Sequence, residues 1–209
     1  MNKLVIIGAG GHGRVIADIA EKIGYTDVVF LDDSPTASTC GAHRVVGGCK
    51  DAPVYRGADF IVAIGNASVR RRLQAELVNE GLRIVSLIHP AAVLASRVTV
   101  GEGTVIMAGA VVNPDVQIGQ GCIINTCASV DHDCRIGDFA HVSVGAHVAG
   151  TVTVGESTWV GAGATVINNV ELAANCMIGA GAVVVADVRE SGTYVGVPAK
   201  KIKENKIGS

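Results

Sequence analysis

Aromatic residues are nearly missing from this chain. They make up 3 % of 209 residues, against a hydrophobic fraction of 49 %, so any core must be filled by Val, Ile, Leu and Ala. Neither sign of charge prevails, the net being −2, which gives no support for nucleic-acid binding. No apolar run approaches the ~20 residues of a membrane span. The stretch Met1 to Gly8 is apolar but short and runs straight into a Gly-rich loop, so it reads as a buried strand and not as a signal peptide. Metal-ligand spacing is also lacking among the cysteines. Cys40, Cys49 and Cys127 show none, and Cys122, Cys134 and Cys176 fall on inward positions of a repeat. These read as core thiols in a reducing cytoplasm, not as disulfides or metal ligands.

The repeat is the dominant positive feature. From Leu94 to Val184 every sixth residue is Leu, Val or Ile, without a miss or an insertion. Two residues before each lies a small or β-branched one, such as Ala110, Cys122, Ala146 and Ala164. A period of six fits neither an α-helix nor an amphipathic strand; it is the hexapeptide signature of a parallel β-helix. Three hexapeptides make one triangular coil, and coils stack at about 4.8 Å. Gly often follows the aliphatic, at Gly101, Gly119, Gly137, Gly155, Gly161 and Gly179, and is expected there to permit the turn geometry.

Before about Ala91 the pattern differs. Lys3–Gly8, Asp27–Leu31, Asp59–Ile64 and Arg83–Leu87 read as strands. His12–Gly24 and the Val69, Leu73, Leu77 series read as helices. Residues 33 to 58 are poorly patterned and read as loop. The order implies a small parallel sheet with helices on its faces. The fold expected is thus an α/β, Rossmann-like nucleotide-sugar-binding domain over 1–88. An all-β parallel β-helix with a C-terminal tail follows over 89–209. The tail carries Lys200, Lys201, Lys203 and Lys206.

Gly8-Ala9-Gly10-Gly11-His12-Gly13 joins a strand to a helix, and Asp32 lies at the end of the next strand. Such a loop lets backbone approach a phosphate at a helix N-terminus. A dinucleotide would fit it, but four strands fall short of a full doubly wound pair, and nothing else proposes hydride chemistry. The same loop can hold the diphosphate of a nucleotide sugar. Asp32 and Asp33 would then face a ribose or uracil, and Gly65-Asn66 would close the pocket.

On the repeat, His132 sits in Asp131-His132-Asp133, two residues past inward Val130, and should be accessible near a corner. An adjacent acid that fixes the tautomer is what a general base needs. His141 and Asn125 could face the same cleft, especially between protomers, and His147 lies on the next face. Outward histidines with no role are the bland alternative. Zinc at a subunit interface, as in the gamma-class carbonic anhydrases, is not matched by the spacing of His132, His141 and His147.

Taken in order, certain residues resemble one family. They are the Gly8–Gly13 loop with His12, Phe30-Leu31-Asp32-Asp33, Ile64-Gly65-Asn66, Asn125-Thr126, Val130–Asp133, His141–Ala146 and Val195–Lys200. Together they look like the sialic-acid O-acetyltransferase-like group of hexapeptide acyltransferases, closest to the bacterial UDP-4-amino-sugar N-acetyltransferases of the bacillosamine pathway. The resemblance covers nearly the whole chain. It implies a left-handed β-helix, a cytoplasmic homotrimer with active sites between subunits, acetyl-CoA as co-substrate, and no metal. It implies His132 as general base, Asp133 (or Asp131) orienting it, and His141 on the acetyl carbonyl oxygen. Gly10, His12, Asp32, Asp33, Gly65, Asn66 and Asn125 would hold the sugar nucleotide. His141, Gly150, Gly161 and Lys200 would meet CoA. The implied reaction is direct acetyl transfer to the 4-amine of a UDP-4-amino-4,6-dideoxy sugar. Alternatives are O-acetylation of a sialic-acid-like sugar, a GDP-linked acceptor, a metal-dependent hydratase, and a non-catalytic sugar-nucleotide sensor.

Overall fold

A computed structural model describes residues 3–34 and 37–202; Lys203 and Lys206 of the basic tail lie outside them. The N-terminal domain is a parallel sheet, with one antiparallel edge strand, and a helix on each side. Its strands are β1 (Lys3–Ile7), β2 (Asp27–Leu31), β3 (Thr39–Cys40), β4 (His43–Gly47), β5 (Asp59–Val62) and β6 (Arg83–Ile84), in the order β3-β4-β2-β1-β5-β6. Its helices are α1 (Gly11–Lys22) and α2 (Ala67–Asn79). The alternate residues of β1 explain the two layers. Leu4 and Ile6 pack on Ile16, Ile19 and Ala20 of α1, while Val5 and Ile7 pack on Leu73 and Leu77 of α2.

Two sequence expectations fail here. The stretch 33–58 is not loop: β4 adds to the sheet edge parallel to β2, and Cys49–Tyr55 is a 3-10 segment. As an edge strand, β4 is only half-buried, so its HRVVG sequence carries little of the apolar signal of a central strand. Arg83–Leu87 is not one strand either. Ile84 pairs with Phe60 in the first sheet, whereas Leu87 of β7 (Leu87–Ile88) pairs with Val105 of the next domain.

From Leu87 the chain winds into a left-handed parallel β-helix in which each strand pairs with the one eighteen residues on, as in Val105 with Ile123 and His141 with Trp159. The first face holds Leu87–Ile88, Val105–Ile106, Ile123–Ile124, His141–Val142, Trp159–Val160 and Cys176–Ile178. The second runs from Val93–Leu94 through Ser129–Val130 and His147–Val148 to Val183–Val184. The third runs from Thr99–Val100 through Arg135–Ile136 to Glu171–Leu172. The repeat aliphatics fill the axis, with Ile106, Ile124, Val130, Val142 and Val160 fully buried. The small partners Ala110, Cys122, Ala128, Cys134 and Ala164 are buried beside them. The chain ends in Gly192–Val195, paired beside Cys176–Ile178, and an antiparallel turn back to Lys200–Lys201.

The turn glycines need correcting as well. The left-handed backbone falls three residues after each aliphatic from Leu94 to Ile178, not one. It is held by Gly103, Gly121 and Gly145, but also by Asp115, Cys127, Asp133, Phe139 and Ser157. The glycines directly after the aliphatic serve another need, which is close stacking of coils. A Cβ on Gly155 would stand 2.4 Å from Ala174 N, and one on Gly101 would stand 2.5 Å from Gln120 N. Gly155→Ala is therefore expected to destabilise the protein by about 1–3 kcal/mol, the usual cost of overpacking, read as a lower denaturation midpoint.

Candidate active site

The Gly-rich loop is shaped by contacts that leave no room for side chains. A Cβ on Gly13 would stand 2.3 Å from Gly8 O, while Gly10 and Gly11 face open space. Gly10 caps α1 without a side chain, and the first turn carries no acid, so its N–H groups are offered to an anion. Asp32 braces this loop: one carboxylate oxygen accepts from Ala9 N at 2.7 Å, the other from Ser34 N at 2.8 Å. Asp33 accepts from Cys49 N at 2.7 Å. A hollow lined by Asp32, Asp33, Ser38, Gly48 and Lys50 opens at the ends of β2 and β4.

At the end of β5, Asn66 caps α2 by accepting from Val69 N at 3.1 Å. Beyond it a cleft of about 430 Å³ lies between Gly65, Asn66 and Ser68 on one side and His141, Trp159, Asn175 and Met177 on the other. In strand order, the path along the carboxyl edge of the sheet runs from the hollow at β4 and β2, past the Gly-rich loop at β1, to the cleft between β5 and the β-helix.

His141 is nearly fully buried and stacks on Trp159, the ring centroids 4.9 Å apart. Asn125 Oδ1 accepts from Thr126 N at 2.7 Å, so its amide nitrogen donates to His141 Nε2 at 3.1 Å. That places the imidazole proton on Nδ1, a buried donor with no protein partner. Burial, helped by the charges of Arg70 and His12, drops the His141 pKa to about 3. His12 is lowered to about 4 by burial and then by Arg70, and its Nε2 is also buried without a partner. Both rings are neutral at ordinary pH.

Arg70 and Trp159 carry much of this geometry and went unread in the sequence. Arg70 lies in an Arg70-Arg71-Arg72 run that looks like a solvated helix face, yet it is 1 % exposed. Trp159 occupies an outward repeat position with no motif around it.

His132 stands elsewhere. It follows the second-face strand Ser129–Val130 and precedes the third-face strand Arg135–Ile136. Its edge is therefore opposite the first face, where His141 sits. Its Nδ1 lies 2.8 Å from Asp133 Oδ2, and Asp133 reaches back because it holds the left-handed turn position, with φ 59°. Asp131 instead accepts from Asn113 Nδ2 and His132 N, each at 2.8 Å. Asp133 is thus the acid on the ring, and its hydrogen bond raises the His132 pKa above 6.5. Gly150, one coil on, makes room: a Cβ there would stand 2.7 Å from His132 Cε1 and Nε2. Gly150→Ala should displace only the exposed ring tip. The expectation is roughly 10- to 100-fold lower activity with the denaturation midpoint unchanged.

Gly161 is a stacking glycine, its absent Cβ facing Ile178 O at 2.4 Å. Lys200 is exposed in the last strand. Among the described residues no cluster of three metal-ligating side chains occurs, and no helix is long and apolar enough to cross a membrane.

A parallel β-helix with an accessible His–Asp pair, joined to a nucleotide-type domain with an open Gly-rich loop, defines a hexapeptide-repeat acyltransferase. The comparisons make this specific. Residues 3–77 match the PglD N-terminal domain, and residues 97–132 and 151–186 match the bacterial transferase hexapeptide. The acetyltransferase domain of PglB from Neisseria gonorrhoeae, solved with acetyl coenzyme A, is 38 % identical, with 97 % of this chain and 100 % of that one covered and a TM-score of 0.91. PerB from Caulobacter crescentus, solved with CoA and GDP-perosamine, is 39 % identical over 97 % of this chain and 98 % of that one, with a TM-score of 0.92. The UDP-N-acetylbacillosamine N-acetyltransferase of Bacillus subtilis is 37 % identical over 113 residues, 52 % of either chain. This match thus spans about half the length of that curated relative. The chain belongs to this family of hexapeptide acetyltransferases with a PglD N-terminal domain.

Proposed function

We propose that the protein is an acetyl-CoA-dependent N-acetyltransferase acting on the 4-amine of a UDP-4-amino-4,6-dideoxy sugar in the cytoplasm, with His132 as general base. The observation that carries the reading is the exposed His132–Asp133 pair, whose Nε2 is left open by Gly150.

Asp133 accepts a hydrogen bond from Nδ1–H, which keeps the proton there and leaves Nε2 as the basic nitrogen. The sugar amine attacks the thioester carbonyl carbon, forming the C–N bond. Nε2 takes the proton lost by nitrogen, the C–S bond breaks, and the leaving thiolate takes that proton from the imidazolium to give CoA and restore the base. His141 lines the cleft with its tautomer held by Asn125 and stands beside the carbonyl oxygen. Gly150 and Gly161 keep the prism edges low beside pantetheine, and Lys200 meets CoA phosphate.

His132 and the His141 cleft lie on opposite sides of one prism, so base and acceptor meet only between copies. This supports a homotrimer with sites at its interfaces. The second face supports it as well. Outward Val93, Val111, Ser129, His147, Thr165 and Val183 carry no carboxylate, lysine or arginine, whereas the third face carries Arg135 and Glu171. His147 bonds Ser129 on that second face, at 2.8 Å.

The test is mass spectrometry of the sugar after mixing enzyme, acetyl-CoA and the UDP-linked amine. Acetylated sugar is the expected result. Absence of product, with turnover of a GDP-linked amine instead, would move the nucleotide assignment to the acceptor seen in PerB.

A further inference from the structure

We infer that Trp159 and Met177 form an apolar wall that selects a deoxy C6 over a hydroxymethyl C6 on the acceptor sugar. The inference rests on the acetyltransferase reading above.

Three observations carry it. His141, Trp159 and Met177 stack in one outward column of the first face. The lower members of that column, Leu87, Val105 and Ile123, are sealed under the N-terminal domain. Trp159 and Met177 are the first left open, 37 % and 38 % exposed, and both line the cleft at the end of the path along the sheet edge. One side of the indole is covered by His141, which fixes it as a platform. The wall offers no hydrogen-bond acceptor of any strength, whereas the remaining rim of Asn66, Ser68 and Asn175 is polar.

A sugar nucleotide laid along the path has its base at β4 and β2 and its diphosphate at the Gly-rich loop. C1, which carries the diphosphate, faces that loop. C4 lies across the ring from C1, and C6 is attached next to C4, so both enter the cleft. The amine on C4 must face outward to the partner's base. C6 then lies against the indole and thioether, and the ring hydroxyl and acetamide meet the polar rim. A hydroxyl on C6 would lose water against a wall that has no strong acceptor for its proton, the indole N–H being only a donor. Such pockets reject an added hydroxyl only modestly, by roughly 10- to 100-fold, and that is the selectivity expected.

The experiment is an internal competition. One tube holds acetyl-CoA, UDP-4-amino-4,6-dideoxy-N-acetylhexosamine and its 6-hydroxy counterpart, and the two products are counted by mass. A ratio taken in one tube does not depend on how much enzyme is folded. Wild type should favour the deoxy sugar roughly 10- to 100-fold. Trp159→Ser and Met177→Gln should each bring the ratio towards parity, and Met177→Gln, two coils from His141, should leave the KM for acetyl-CoA unchanged. Three results would overturn the inference: no preference in wild type, a preference that survives both substitutions, or a raised KM for acetyl-CoA with selectivity intact. The last would make the pair a wall for pantetheine. No product from either sugar in wild type would instead sink the UDP-linked acceptor reading beneath it.

Discussion

Alanine in place of His132 lowers kcat/KM for acetyl transfer by roughly 10²- to 10⁴-fold, the range of a lost general base, and leaves the fold intact. The side chain is 57 % exposed and its partner Asp133 is 59 % exposed, so the denaturation midpoint should stay that of wild type. The pH profile identifies the role. The base works as neutral imidazole, so kcat/KM falls as pH drops through the His132 pKa. Asp133 raises that pKa, placing the acid limb above 6.5 in wild type. In Asp133→Asn the limb moves to lower pH, since the group that favours imidazolium is gone, while the plateau rate falls because the ring is no longer oriented. An unchanged limb in that variant, or full activity in His132→Ala, would remove both residues from the chemistry. His141 cannot substitute as base. Burial holds its pKa near 3, far from the working range, and its proton sits on the nitrogen that has no protein partner.

The prism was legible because its physics is periodic. One aliphatic per hexapeptide must reach the axis, and the register from Leu94 to Val184 runs without a break. What the period does not encode is contact between coils. Gly155 and Asp133 look alike as turn residues, yet one is small for stacking and the other aims a carboxylate. The sequence left Asp131 and Asp133 as rival partners of His132; in the structure it is Asp133, in the left-handed turn position, that bonds the ring. The edge strand β4 escaped notice because half-burial leaves no apolar run. Arg70 escaped because a buried charge satisfied by carbonyls has no sequence partner to betray it: the oxygens it serves lie as far as 69 residues away.

Arg70→Met should produce the largest loss of stability in the protein, about 3–5 kcal/mol. Among the described residues its guanidinium has no carboxylate partner. Nε donates to Gly121 O at 2.7 Å, Nη2 to Phe139 O at 2.7 Å, and Nη1 to Ile64 O and Gly65 O at 2.7 and 2.8 Å. Two successive coils of the prism are thereby tied to the end of β5. Neighbouring α2 contacts are weaker: Arg71 lies over the Phe139 ring at 4.7 Å and meets Glu156 at 3.1 Å, and Gln74 reaches Glu102 O at 3.3 Å. Removing the guanidinium leaves buried carbonyls with neither their charged donor nor water, which costs more than the bonds themselves contribute. Lysine carries three donors on one point rather than a planar fork, so Arg70→Lys should recover only part of the loss. Burial lowers the Arg70 pKa to about 10, and the group stays charged at neutral pH. Its charge helps depress His12 and His141. In Arg70→Met both imidazole pKa values should therefore rise, yet remain below 6.5 because burial is the larger cause. Imidazole titration by NMR and urea denaturation read the two effects separately. A midpoint within error of wild type would mean that the prism holds β5 by other means. A loss of stability without any rise in the two pKa values would confine Arg70 to a structural tether. Both changes together, with a raised KM for the sugar nucleotide, would mark it as the residue that positions Gly65-Asn66 and sets the electrostatics of the cleft.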